Sequence, residues 1–171
     1  MKTVVLLYNT SCIYEIVILN YFLKYTGKDI VFVSYDGNPI IATEGYSINV
    51  SDKLLNISPK DVELMIVPGG DITEINNSSV WKYLVDVQEN QGLIAGICAG
   101  VDVLDHAGLL KTIESTHSNN LDVVVTDNII TARPNAYVDF AIEVAKKMDL
   151  FEDEADLKET IAFWRDHQSM E

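Results

Sequence analysis

The sequence predicts an α/β fold, a doubly wound and mainly parallel sheet covered by helices, and three observations carry that expectation. Apolar runs such as Thr3-Val4-Val5-Leu6-Leu7-Tyr8 and Glu63-Leu64-Met65-Ile66-Val67 lack polar alternation, so they read as strands buried on both faces. Segments of helical spacing separate those runs almost from end to end, which is the order a parallel sheet requires. Finally, Gly96-Ile97-Cys98-Ala99-Gly100 lies directly behind the apolar run Leu93-Ile94-Ala95 and ahead of a helical stretch from Val101 to Ala107. That is the order strand, elbow, helix.

The elements follow in sequence. Thr3–Tyr8 is the first strand. Ile13 to Tyr25 carries Ile13, Ile16, Val17, Asn20, Tyr21 and Lys24 at helical spacing, and Gly27 stops it. Ile30–Tyr35 is a second strand, Asp36-Gly37-Asn38-Pro39 a turn, and 40–50 a hairpin or small excursion broken at Gly45. Glu63–Val67 is a third strand, closed by Pro68-Gly69-Gly70. Ser79 to Asn90 is helical, with Val80, Leu84 and Val87 on one face and Gly92 at its end. After the elbow come Val123-Val124-Val125, a turn at Asp127-Asn128, and Ile129-Ile130-Thr131. Two amphipathic helices, Tyr137 to Met148 and Asp153 to His167, complete the chain. With no repeat, linker or low-complexity tract, residues 1–171 read as one domain.

Composition narrows the function classes. A chain of 171 residues is long enough to bury a sizeable core, and 48% hydrophobic content excludes general disorder. No apolar run reaches the length of a membrane span. A net charge of −14 would repel a phosphate backbone, so nucleic acid is not an expected partner. The two cysteines, Cys12 and Cys98, do not make a disulfide scaffold. No small-residue cleavage site follows the first strand, so the cytoplasm is the expected compartment. Cys, His and Asp show no metal-ligand spacing, and neither a Gly-x-Gly-x-x-Gly nor a Walker loop occurs, so no metal and no cofactor are expected.

The elbow points to nucleophilic chemistry. Glycines two places either side of Cys98 suit a sharp turn that holds one side chain at the top of a sheet. Its sulfur would lie at a helix N-terminus, which favours an anion, so its pKa is expected below that of a free cysteine. In doubly wound sheets ligands bind beyond the C-terminal strand ends, at the switch point. The loop Asn9–Glu15, Gly69-Gly70 and Cys98 would meet there.

Together the elbow, Ile66-Val67-Pro68-Gly69-Gly70, the helix end Gly108-Leu109-Leu110, Thr116-His117 and Thr131-Ala132-Arg133 resemble the ThiJ/PfpI (DJ-1/PfpI) superfamily, from Lys2 to about Leu150. The resemblance implies a flavodoxin-like sandwich, related to the class I glutamine amidotransferase fold, with the elbow cysteine as nucleophile. It also implies that Glu15 is the acidic residue after the first strand, a glutamate as in the DJ-1 branch, and that His117 is the histidine near the cysteine. Ala99 stands where the peptidase branch has a histidine, so that triad is absent. Isocyanide hydratases differ at the acid and after the cysteine, and the C-terminus lacks the His-x-Glu of amidotransferases.

Two adjacent anions are costly, so one of the pair should keep its proton. The sequence reading assigns that proton to Glu15, donating to the Cys98 thiolate. Backbone amides of Gly70 and Ala99 are the expected oxyanion hole. His117 is either a proton carrier or a residue filling a polar slot. Arg133 would orient a carboxylate or form a surface ion pair, and Cys12 would resolve an oxidised Cys98 or stand by. The resemblance thus leads to a cysteine-dependent enzyme acting on small carbonyl compounds, glyoxalase- or deglycase-like. The alternatives are a non-enzymatic redox sensor that uses Cys98 oxidation, and an isocyanide hydratase- or amidase-like activity. The partners expected are a small-molecule substrate and a second copy of the chain. The homodimer is read from Tyr14, Ile18, Tyr21, Phe22 and Tyr25 on the first helix.

Overall fold

The computed structural model describes residues 1–169. Its elements are β1 (Lys2–Leu6), α1 (Val17–Tyr25), β2 (Ile30–Ser34), β3 (Ile40–Ile41), β4 (Ser47–Ile48), β5 (Asp52–Lys53), β6 (Val62–Val67), α2 (Ser78–Glu89), β7 (Leu93–Ile97), α3 (Gly100–His106), β8 (Val123–Thr126), β9 (Ile129–Ala132), α4 (Tyr137–Lys147) and α5 (Glu154–Trp164). Seven strands make one sheet in the order β5-β2-β1-β6-β7-β9-β8, and β3 and β4 form a separate hairpin.

Every pairing in the large sheet is parallel except β8–β9. Strand order explains where a site can form. From β1 the chain winds outward to β2 and β5, then returns to β6 on the other side of β1 and winds the opposite way. The crevice therefore opens beyond the ends of β1 and β6, next to β7.

Alternation in the strands builds a core on each face of the sheet. Val4, Leu6, Met65 and Val67 pack with Val80, Leu84 and Leu104 on the side of α2 and α3. Val5, Leu7, Leu64 and Ile66 pack with Leu19, Leu23, Phe140 and Val144 on the side of α1 and α4. Each such side chain, fully buried, contributes about 1.5–3 kcal/mol.

Three differences from the sequence reading matter. The helix expected from Ile13 is two pieces: a 3₁₀ turn at Ile13–Glu15, then α1, separated by Ile16 at φ −122° and ψ −1°. The break swings Glu15 inward, a direction that continuous helix would not give it. The α2 stop is Gln91, at φ +67°. Gly92 is instead required by space, since a Cβ there would lie 2.9 Å from the Val62 carbonyl oxygen. Strand β5 is only two residues long and left no pattern to read. The β8–β9 pairing, in turn, is antiparallel because the turn expected at Asp127-Asn128 reverses the chain within two residues, too short for a crossover.

Candidate active site

The elbow is strained at the cysteine itself. Cys98 has φ +57°, a region costly for any residue with a Cβ. Its backbone is held there from both sides: its amide donates to Ala132 O at 3.0 Å, and its carbonyl accepts from Val101 N at 3.0 Å. Gly96 and Gly100 do not supply positive φ, contrary to the expectation that they relieve the turn. They supply room. A Cβ on Gly100 would lie 2.1 Å from Val67 O, so α3 packs directly on the end of β6.

Glu15 faces the sulfur. The 3₁₀ turn carries its carboxyl inward until only 1% of the residue is exposed. Oε2 accepts from the Gly69 amide at 2.7 Å, and Oε1 accepts from the Tyr14 hydroxyl at 3.3 Å. Cys98 and Glu15 are hydrogen-bonded through their side chains. Gly69 packs against both: a Cβ there would lie 2.7 Å from Cys98 Sγ and 2.8 Å from Glu15 Oε2.

A strap from the β3–β4 hairpin locks the loop that carries this acid. Thr10 N donates to Ile41 O at 2.7 Å, Thr43 N to Ser11 O at 3.1 Å, and Tyr14 N to Glu44 Oε1 at 2.8 Å. Burial pushes the Glu44 carboxyl up, but the amides of Tyr14, Glu44 itself and Ile13 outweigh that and hold it below its ordinary value. An anion is thus fixed at the start of the Ile13–Glu15 turn, where free amides favour it. Sequence marks Tyr14 for the aromatic face of the first helix and not for this site, and Glu44 lies in a hairpin with no periodic pattern.

The electrostatics reverse one expectation. Burial and the facing Glu15 carboxylate push the Cys98 thiol up to about 11, against the pull of the Ala99 amide. Burial also raises Glu15, opposed by its bonds from the Gly69 amide, the Cys98 thiol and the Tyr14 phenol, while Glu44 adds to the rise. Burial thus raises both members of the pair, and one proton shared between them relieves the repulsion of two adjacent anions.

The other expected site residues divide into two groups. Ala99 is in place, its amide directed at the sulfur. Gly70 sits at φ +142° with its α-carbon pressed on Thr10, whose carbonyl oxygen a Cβ would approach to 2.5 Å. Cys12 reaches the same site: its amide donates to Gly69 O at 2.9 Å, and burial and Glu15 raise its thiol. By contrast His117 is turned to α3, with Nε2 3.1 Å from Asp102 and Nδ1 3.8 Å from Asp105. Arg133 faces Asp122 at 3.9 Å, the surface pairing. His106 bonds Asn76 at 3.0 Å. Among the described residues no group of three His, Cys, Asp or Glu is arranged to hold a metal ion, and no helix is long and apolar enough to cross a membrane.

A flavodoxin-like sandwich with a cysteine on the strand–helix elbow and a buried glutamate against its sulfur defines a class of α/β protein. The chain belongs to the DJ-1/PfpI family, whose profile matches residues 1–147. It is similar to deglycase TK1284 of Thermococcus kodakarensis, 26% identical over 113 residues, covering 64% of this chain and 65% of that protein. It is also similar to the glutathione-independent glyoxalase DJR-1.2 of Caenorhabditis elegans, 23% identical over 151 residues, 79% of this chain and 81% of that one. The chain thus spans just under two thirds of the first relative, and 55% of deglycase PH1704 of Pyrococcus horikoshii. In fold it matches the DJ-1 superfamily protein Atu0886 of Agrobacterium tumefaciens with a TM-score of 0.86 at 22% identity, covering 98% of this chain and 100% of that one.

Proposed function

We propose that this chain is a cofactor-independent enzyme acting on small carbonyl compounds, glyoxalase- or deglycase-like, with Cys98 as nucleophile and Glu15 as its base. The observation that carries the reading is the contact of the Cys98 sulfur with a carboxyl that is 1% exposed, across a residue that can have no side chain. The names of the relatives, deglycase and glyoxalase, support the substrate class.

The chemistry follows from the pair. A thiol raised to about 11 is a poor nucleophile unless its proton leaves as it attacks. Glu15, raised by burial, is a stronger base than an exposed carboxylate and already accepts from that thiol. With a 2-oxoaldehyde, sulfur adds to the aldehyde carbon as the thiol proton passes to Glu15. The oxygen that gains charge is met by the Ala99 and Gly70 amides and then takes that proton as a hemithioacetal. Glu15 next removes the hydrogen of the former aldehyde carbon and returns it to the neighbouring carbonyl carbon, while the hemithioacetal hydroxyl proton passes to the neighbouring oxygen, giving a thioester of a 2-hydroxy acid. Water cleaves the thioester and returns the thiol. No external oxidant or reductant is consumed. His117 and Arg133, held by aspartates, take no part in these steps.

The same reading places the chain in the reducing cytoplasm, where a working thiol stays free, and makes it a homodimer through α1. Of the face read from sequence, Tyr14, Tyr21 and Tyr25 are 45%, 52% and 81% exposed and Val17 joins them at 51%, whereas Ile18 is half-buried and Phe22 is buried at 8%. Light scattering on Tyr21→Glu beside wild type tests the dimer.

Lactate formation from methylglyoxal tests the enzyme. Wild type is expected to turn over, Cys98→Ser to lose at least about 10²-fold, and Glu15→Leu a similar amount. Turnover that survives Cys98→Ser overturns the reading.

A further inference from the structure

The reaction asks for a Gly70 N–H aimed at the crevice, and nothing in glycine itself fixes that direction. The loop after β1 fixes it, peptide by peptide. In the first plane, Pro68 O accepts from the Tyr8 hydroxyl at 2.6 Å and Gly69 N donates to Glu15 Oε2 at 2.7 Å. In the second, Gly69 O accepts from Cys12 N at 2.9 Å. A trans peptide turns its N–H away from its C=O, so this bond sends the Gly70 N–H away from the loop. Among the described residues that N–H has no hydrogen-bond partner. In the third plane, Asp71 N donates to Thr10 Oγ1 at 2.7 Å.

Thr10 is the costly member of this set. It lies at φ +73°, where a β-branched side chain is an outlier and glycine would sit without strain. Its amide is tied to Ile41 O at 2.7 Å, its carbonyl accepts from the Thr43 hydroxyl, and Gly70, at φ +142°, packs on that carbonyl. What threonine adds here over glycine is the hydroxyl that meets Asp71 N.

We infer that Thr10 is a positioning residue acting through Gly70: together with the Cys12 amide, its hydroxyl holds the Gly70 N–H where the oxygen of a carbonyl compound gains charge as Cys98 adds to it. The inference rests on the reading of Cys98 as a nucleophile toward carbonyl carbon.

Thr10→Val keeps the branched shape and removes the acceptor, whereas Thr10→Ser keeps the acceptor. The residue is exposed, so both variants are expected to fold. With methylglyoxal, Thr10→Val is expected to lower kcat about fivefold, the factor for an ordinary hydrogen bond, and to leave KM unchanged, because the donor matters only once charge is on oxygen. A second probe needs no turnover. Trifluoroacetone has no aldehyde hydrogen, so it stops at the adduct: sulfur bonds to the carbonyl carbon, the π pair moves onto oxygen, and the thiol proton leaves to solvent. Fluorine NMR of the resonance that Cys98→Ser abolishes reads its affinity, which is expected to weaken about fivefold in Thr10→Val and to recover in Thr10→Ser. Alkylation of Cys98 by iodoacetamide creates no oxyanion and is expected to be unchanged, as read on the Cys98 peptide by mass spectrometry. Adduct affinity that does not weaken, alkylation slowed as much as addition, a KM that rises while kcat holds, or a Thr10→Ser protein no better than Thr10→Val overturns the inference. A wild type whose Cys98 forms no adduct overturns it as well. A wild type that turns over no carbonyl while showing this adduct pattern removes the enzymatic reading and leaves the role of Thr10 standing.

Discussion

Gly69→Ala is the sharpest probe of the site. Gly69 does not occupy the positive-φ region, so alanine is allowed by its backbone and the cost is steric alone. The new methyl would lie 2.6 Å from Cys98 Cβ, 2.7 Å from Cys98 Sγ and 2.8 Å from Glu15 Oε2, where ordinary contact begins at 3.4 Å. Those atoms must each retreat from the methyl by about 0.6–0.8 Å, which disturbs their contact with each other. Overpacking of this kind costs about 1–3 kcal/mol of stability, or a fall in Tm of about 3–10 °C for a domain of this size. A misplacement near 1 Å costs about 10²-fold in rate. The Gly69 amide survives, so its bond to Oε2 is not what the substitution removes. Methylglyoxal turnover is measured beside thermal unfolding by circular dichroism. A folded Gly69→Ala protein that retains turnover within about fivefold of wild type refutes the contact between Cys98 and Glu15 as the working element.

Gly100→Ala is expected to fail earlier, in folding, because its Cβ would lie 2.1 Å from Val67 O and neither backbone can yield; thermal unfolding reads this. Titrating the ultraviolet thiolate absorbance, with Cys98→Ser as blank, is expected to place Cys98 near about 11 and Glu15→Gln below that, since removing the carboxylate charge favours the thiolate; an unmoved midpoint would mean the two groups do not interact. The raised carboxyl of Glu15 holds its proton more tightly folded than unfolded, so its contribution is present at acid pH and lost as pH rises through the folded value. Glu15→Gln is therefore expected to raise Tm at neutral pH and to lose that advantage in acid, with equal Tm differences at both pH values counting against it. Glu44→Gln removes the anion from the Ile13–Glu15 turn and is expected to cost about 1 kcal/mol in urea unfolding, together with slower alkylation of Cys98.

Sequence carried the architecture because its causes are local or periodic. Two-sided burial of β1, β6 and β7 shows as unbroken apolar runs, and the elbow shows as a strand, a Gly-flanked cysteine and a helix. The site was legible in part. Cys98 stood out from local pattern, whereas Glu15 was reached only through the family resemblance, since helical spacing alone runs through residue 15 without a break. What turns Glu15 inward is Ile16 leaving helical geometry and Glu44 binding the amide of Tyr14 from 30 residues away, and neither has a periodic trace. His117 and Arg133 were found as residue types, but their partners, Asp102, Asp105 and Asp122, are set by the folded chain. The same holds for the Cys98 thiol: a helix start is visible in sequence, while the burial and the facing carboxylate that push it up are not.

The features of the site share a physical direction, which is that each costs stability. Cys98 is held at φ +57°, a strain of about 1–3 kcal/mol. Glu15 is buried with no cation among the groups that raise or lower it. Against a total stability of about 5–15 kcal/mol these are large fractions, and they persist because apolar packing on both faces of the sheet and the hairpin strap over-determine the loops that carry them. The separate costs also have one consequence in common. The strained turn brings sulfur to the carboxyl, Gly69 lets them touch, and the lack of a cation leaves the shared proton to be placed by neutral donors such as Gly69 N–H and Tyr14 O–H. A proton held by neutral donors moves for a smaller change in its surroundings than one pinned by an ion pair. An electrophile approaching Cys98 supplies such a change, and that ties the energetic cost of the site to its reactivity.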